Sequence, residues 1–84
     1  MAEVIIYTTL VCPYCVRAKH LLRKKGVPYR EVDVSHDHEA RLALMQRTGR
    51  RTVPQIFIDD EPIGGCDELY ALERAGQLDA RLAA

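Results

Sequence analysis

Four residues, Cys12-Pro13-Tyr14-Cys15, stand between stretches of opposite periodicity, and that placement constrains the fold more than any other feature of the chain. Before them, Val4-Ile5-Ile6-Tyr7 is apolar and β-branched, the pattern of a strand. After them, Val16 to Lys25 has no Gly or Pro. Its apolar positions are Val16, Ala18, Leu21 and Leu22, with Arg17, Lys19, His20, Arg23 and Lys24 between them, the spacing of a helix. Lys24 and Lys25 suit the negative end of that helix, and Gly26 is a natural residue just beyond it. The cysteine pair thus lies where a strand passes into a helix, and the two sulfurs can meet if Cys15 occupies the first turn.

This location has a chemical consequence. A helix N-terminus presents unpaired N–H groups and a partial positive charge, both of which favour a thiolate. A free cysteine titrates near pH ~8.5, and helix-start or CxxC placement lowers that to roughly 3.5–7.5. The thiolate is the form that attacks disulfides. Cys12 precedes the helix, is expected to be exposed, and is the candidate nucleophile. Cys15, within the first turn, is expected to be more buried and to act as the resolving thiol. Pro13 fits the first helical position, where a missing N–H costs nothing.

Two plainer readings weigh against this one. A C-x-x-C can open a zinc site, but a second ligand pair is needed. The other candidates are Cys66, His20, His36 and His38; His20 falls mid-helix and Cys66 has no near partner in sequence. A structural disulfide across so short a gap would remove little chain entropy. No metal site is expected. His36 and His38 flank Asp37 at the opening of a surface helix and read as solvated polar residues.

The rest of the chain continues the alternation. Val27-Pro28 forces an extended backbone. Tyr29–Val34 reads as a second strand, parallel to the first through a right-handed helical crossover. Ser35 or Asp37 can cap the next helix, His38–Thr48, with Leu42, Leu44 and Met45 as its apolar residues and Gly49 at its end. Asp37 has Ala40 three residues on, so the capping box is incomplete. Pro54 starts a third strand, Gln55–Ile58. Asp59-Asp60 makes a hairpin turn without the usual Gly, and Glu61–Ile63 is a short edge strand. Gly64-Gly65 breaks it. Cys66–Ala75 is a helix with Leu69, Tyr70 and Leu72 inward, closed by Gly76, and Leu78–Leu82 forms a last helical turn. The order is β-α-β-α-β-β-α, an α/β chain with four strands.

Composition limits the function classes. At 84 residues the chain reads as a single domain, 1–84. Twelve basic residues balance 12 acidic ones, without the basic excess of a nucleic-acid binder. No apolar run approaches the ~20 residues of a membrane span. The N-terminal residues lack the basic and apolar regions of a signal peptide. Three cysteines make an odd number for a secreted disulfide scaffold, so a cytoplasmic location, where thiols stay reduced, is expected.

Cys12-Pro13-Tyr14-Cys15, Thr52-Val53-Pro54 and Gly64-Gly65-Cys66-Asp67, in this order and spacing, resemble the dithiol glutaredoxins, the compact bacterial type in particular. The similarity runs from Val4 to about Leu82. It implies a thioredoxin fold with a four-stranded mixed sheet of order 2-1-3-4, the fourth strand antiparallel to the third. It implies a cis peptide before Pro54, a geometry that only about 5–6% of X-Pro bonds adopt. It also implies glutathione as co-substrate, no permanently bound cofactor, and activity as a glutathione-dependent thiol-disulfide oxidoreductase on protein–glutathione mixed disulfides and protein disulfides. Ribonucleotide reductase is a family-level candidate substrate, and a monomer is the default state.

The resemblance assigns the glutathione site residue by residue. Val53, before the cis proline and next to Thr52, would pair its backbone with the cysteinyl unit, as in strand addition. Asp67 would meet the glutamyl amine; helix capping is its alternative role. Gly65 would allow close approach, and the N–H groups of Cys66 and Asp67 would receive the glutamyl carboxylate. Arg41 would face the glycyl carboxylate, or else be a solvated helix arginine. Tyr14 would line the groove, or simply pack as a half-exposed ring. Cys66 reads first as a small buried apolar residue, with regulatory oxidation as the alternative.

One departure stands out. Many family members carry a Lys in the loop before the nucleophile, where this chain has Thr8, Thr9 and Leu10. A weaker glutathione affinity, or compensation by Arg41, Arg50 or Arg51, is expected. Two rival functions follow from related proteins. A redoxin reduced by thioredoxin reductase would lack the Asp67 site. An iron–sulfur carrier bridging a cluster through Cys12 and glutathione usually has a small residue where Pro13 stands.

Overall fold

The computed structural model describes residues 2–83. Its elements are β1 (Val4–Thr8), α1 (Pro13–Lys24), β2 (Arg30–Asp33), α2 (His38–Thr48), β3 (Gln55–Ile58), β4 (Glu61–Gly64), α3 (Cys66–Arg74) and α4 (Leu78–Ala83). The sheet runs β2-β1-β3-β4, with β1 parallel to β2, β3 antiparallel to β1, and β4 antiparallel to β3. The second strand is shorter than Tyr29–Val34 by one residue at each end. Val34 still bonds back to the sheet, its N–H donating to the Thr8 carbonyl at 2.9 Å.

Strand alternation sorts residues onto the two faces of the sheet. Val4, Ile6, Ile56 and Ile58 enter the main core with Ala18, Leu21 and Leu22 of α1, Leu69 of α3, and Leu78 and Leu82 of α4. On the opposite face Tyr7 and Phe57 meet edge to face at 5.5 Å, and the Arg47 guanidinium of α2 lies 4.3 Å from the Phe57 ring centroid. The sheet therefore lies between α2 and the α1–α3–α4 layer.

Two apolar positions in the helices do not pack as the periodicity suggests. Val16 is 61% exposed and Leu42 is 43% exposed. The inward line of α1 is set by Cys15, Ala18 and Leu22, and Val16 sits about 100° around the helix from Cys15. In α2 only Leu44 is fully buried, with Met45 half-buried and the exposed Arg47 placing its guanidinium over Phe57.

The ends of the elements follow their sequence cues. Asp37 caps α2 by accepting the Ala40 N–H at 3.0 Å, and Gly49 closes it at φ 71°. Asp59 and Asp60 both take left-handed dihedrals, φ 50° and 65°, the type I′ requirement. Asp59 is held there by Glu3, the residue before β1: its N–H donates to the Glu3 carbonyl at 2.9 Å, and its Oδ1 accepts the Glu3 N–H at 2.9 Å. Lys25 joins the helical layer, reaching Glu73 at 2.6 Å and Asp79 at 2.9 Å.

Candidate functional site

The end of β1 delivers the chain to the start of α1, where Cys12 is the N-cap residue. Its carbonyl accepts the Val16 N–H at 3.1 Å, and its Sγ accepts the Cys15 N–H at 3.0 Å. Sulfur here does the work that a Ser or Asp oxygen does at an ordinary cap. Cys12 and Cys15 are joined as a disulfide. Cys15 is 1% exposed, whereas Cys12 is half-buried rather than fully exposed, because the loop before Pro54 comes up beside it. The Cys12 Sγ lies 3.7 Å from the Val53 carbonyl oxygen. In the disulfide no S–H remains to donate, so this is proximity rather than a hydrogen bond. The Cys15 N–H aimed at Sγ is the kind of donor that stabilises a sulfur anion.

The Val53–Pro54 peptide is cis, as the family resemblance implies. The side chain that steadies this loop is Gln55, 1% exposed. Its Nε2 donates to the Thr52 carbonyl at 2.9 Å and to the Thr52 hydroxyl at 3.3 Å. The Val53 backbone is thereby presented next to the sulfur.

A cleft of about 260 Å³ opens beside this loop. Tyr14 lines it from the α1 side, and Thr52, Val53 and Pro54 form one wall. Gly65, Cys66 and Asp67 at the start of α3 form the other, joined by Arg50 and Glu68. Seven of the residues assigned from the resemblance therefore surround one cleft. Arg41 does not line it; its Nη2 donates to the Arg51 carbonyl at 3.4 Å.

Asp67 is not the helix cap. Gly65 is the N-cap residue, and Asp67 is exposed in the first turn. The Gly65 N–H is taken instead by Glu68 Oε1 at 2.7 Å, the carboxylate half of a capping box. The same oxygen accepts from Arg50 Nη1 at 2.6 Å. These donors, the Gly65 N–H first, hold the Glu68 carboxyl below its ordinary titration range. Glu68 and Gln55 are not singled out by the sequence motifs, and of the three arginines expected to compensate for the missing loop lysine, Arg50 is the one that lines the cleft. Glu68 stands three residues after the cap, but the box pattern looks for Ser or Thr at the cap, and Gly65 hides it.

The loop without a lysine is tied down from behind. The Thr8 hydroxyl, 1% exposed, donates to Glu31 Oε2 at 2.8 Å, and Lys19 Nζ reaches the same oxygen at 3.0 Å. The Leu10 N–H donates to Ser35 Oγ at 2.7 Å. Cys66 is a free thiol, 4% exposed, and burial pushes its pKa up. It packs as a small core residue. His36 and His38 are exposed, and among the described residues no cluster of three potential metal ligands forms.

Comparison with known proteins gives a consistent result. The glutaredoxin family model matches residues 4–63. The chain is 54% identical over 84 residues to a glutaredoxin of Pseudomonas aeruginosa, covering 100% of both chains. It is 54% identical over 82 residues to glutaredoxin 3 of Escherichia coli, covering 98% of this chain and 99% of that one. The solution structure of glutaredoxin from Brucella melitensis is similar with a TM-score of 0.88 at 54% identity, covering 98% of this chain and 89% of that chain. The crystal structure of a buckwheat glutaredoxin–glutathione complex is similar with a TM-score of 0.91 at 33% identity, covering 98% and 77%.

Proposed function

Because this chain belongs to the glutaredoxin family, we propose that Cys12 is its catalytic nucleophile, Cys15 its resolving thiol, and the cleft beside Val53 its glutathione site. The chain is a glutathione-dependent thiol–disulfide oxidoreductase with a thioredoxin fold. One observation carries the assignment of roles: the half-buried Cys12 sulfur caps α1 beside Val53, a residue of the cleft wall, while Cys15 is 1% exposed.

With a protein–glutathione mixed disulfide, the Cys12 thiolate attacks the glutathione sulfur. The S–S bond breaks, the protein sulfur leaves as thiolate and takes a proton, and Cys12 carries glutathione. A second glutathione thiolate attacks the bound glutathione sulfur, releasing oxidised glutathione and regenerating the Cys12 thiolate. With a protein disulfide, Cys12 forms a mixed disulfide with one protein sulfur. The Cys15 thiolate then attacks Cys12 Sγ and frees the protein dithiol. The product is the Cys12–Cys15 disulfide, the state of this structure. Two glutathiones reopen it in succession.

The residues in the cleft have complementary roles toward glutathione. The Val53 main chain offers a strand-like edge to the cysteinyl unit. The N–H groups of Cys66 and Asp67 open α3 toward the glutamyl carboxylate, and the exposed Asp67 carboxylate suits the glutamyl amine. Tyr14, 55% exposed, covers the groove next to the dithiol. Arg41, outside the lining, is left to longer-range attraction of the glycyl carboxylate. Protein substrates, a monomeric state and a cytoplasmic location remain part of this reading; no helix among the described residues is long and apolar enough to cross a membrane.

A glutathione-reductase-coupled assay on a small glutathionyl mixed disulfide tests the roles. Cys12→Ser abolishes turnover, and Cys15→Ser retains deglutathionylation while losing reduction of protein disulfides. Turnover by Cys12→Ser overturns the assignment.

A further inference from the structure

Arg50 is the cation among the residues lining the cleft, and its side chain, 44% exposed, is paired. Its Nη1 is bound to Glu68 Oε1, the oxygen that also holds the Gly65 N–H. A guanidinium has five N–H donors, so one bond to Glu68 leaves most of the fork unused. Gly64 makes this arrangement possible. A Cβ there would stand 2.6 Å from Glu68 Oε1 and 3.0 Å from Arg50 Nη1. The guanidinium is therefore anchored over the Gly64–Gly65 backbone, at the end of the cleft where α3 begins, rather than beside the dithiol.

We infer that Arg50, positioned by Glu68, joins the Cys66 and Asp67 N–H groups in reading the α-carboxylate at the γ-glutamyl end of glutathione, and that this guanidinium strengthens the preference of the cleft for glutathionyl over shorter cysteinyl disulfides. This rests on the proposed glutathione site and assigns its specificity. Arg–carboxylate pairs are favoured by the fork geometry, and a guanidinium already fixed by a partner loses little freedom on meeting its ligand. Glu68 does not touch the ligand in this account. It acts through Arg50 and through the Gly65 cap.

The test compares two small mixed disulfides, one carrying glutathione and one carrying cysteinylglycine, which lacks the γ-glutamyl unit and keeps the glycyl carboxylate. The readout is the ratio of their KM values, with kcat followed separately. Wild type is expected to favour the glutathionyl substrate. Arg50→Gln narrows that preference five- to tenfold, mostly in KM. Arg50→Lys, which keeps the charge but not the fork, recovers a minor part. Glu68→Gln keeps an oxygen for the Gly65 N–H and narrows the preference about threefold, with the thermal midpoint measured alongside as a check on folding. Wild type without a preference refutes the glutathione site itself. A wild-type preference that survives Arg50→Gln refutes only the role of Arg50, as does an equal rise in both KM values, which would mean general attraction of anions. A ratio unaltered by Glu68→Gln removes the positioning role.

Discussion

Gly64→Ala is expected to damage this protein far more than Gly65→Ala, although the two glycines are adjacent. Gly64 has φ +113°, a region that L-residues rarely adopt, and a Cβ there would meet Glu68 Oε1 at 2.6 Å and Glu68 Cγ at 2.7 Å. Glu68 could swing aside only by giving up both the Gly65 N–H and Arg50. The backbone strain costs of order 1–3 kcal/mol. Loss of the cap at α3 adds about 1 kcal/mol. For a domain of this size, a total of roughly 2–4 kcal/mol lowers the thermal midpoint by about 10 °C or more. Gly65 has φ −101°, and its Cβ would meet the Pro54 carbonyl at 3.1 Å and Glu68 Oε1 at 3.6 Å. That contact narrows the cleft and raises KM for glutathione with a small effect on folding. Urea unfolding of both variants, with the m-value checked for constancy, gives the comparison. A Gly64→Ala protein within ~0.5 kcal/mol of wild type, the range of an ordinary surface change, would refute the reasoning.

Further outcomes are expected elsewhere in the molecule. The Thr8 hydroxyl, and then Lys19, hold the Glu31 carboxyl below its ordinary value of 4.5. Its stabilising contribution is complete above that unfolded value and is lost as the pH falls through the depressed folded one. Glu31→Gln therefore flattens the loss of stability in that acid window, read by denaturant titrations at successive pH values. Burial raises the Cys66 pKa, so after reduction iodoacetamide labels Cys12 first, and mass spectrometry finds Cys66 labelled only on unfolding. Rapid labelling of native Cys66 would contradict its placement. Thr9→Lys supplies the missing loop cation and lowers KM for a glutathionylated substrate severalfold; no change in KM would show that the loop charge is irrelevant in this chain.

Much of this fold is legible in the chain because its cues are local. The switch from β-branched alternation to helical spacing places β1 and α1, and the Asp37 cap with Gly49 bounds α2. The dithiol, the Thr52–Pro54 turn and the start of α3 are each readable as short motifs. What escapes is long-range pairing. Arg50 and Glu68 are 18 positions apart, and nothing in either neighbourhood announces that they meet. Gln55 looks like one polar residue of a strand until the loop before it turns back onto its amide. The burial of Cys12 likewise depends on Val53, 41 positions away. Exposure is misread for the same reason. Val16 and Leu42 have helical spacing, but the sheet surface offers room for the neighbouring line of side chains instead.

Both rims of the sheet have a consequence for behaviour in concentrated solution. β2, at one rim, is only 4 residues long and sets Arg30, Glu31 and Asp33 around a single valine. β4, at the other, is also 4 residues long and carries Pro62, which has no N–H to offer. Short, charged or proline-bearing rims discourage unrelated chains from adding as extra strands and seeding aggregates. With glutathione seated against Val53 as proposed, strand-like adhesion is thus confined to the place where a sulfur waits.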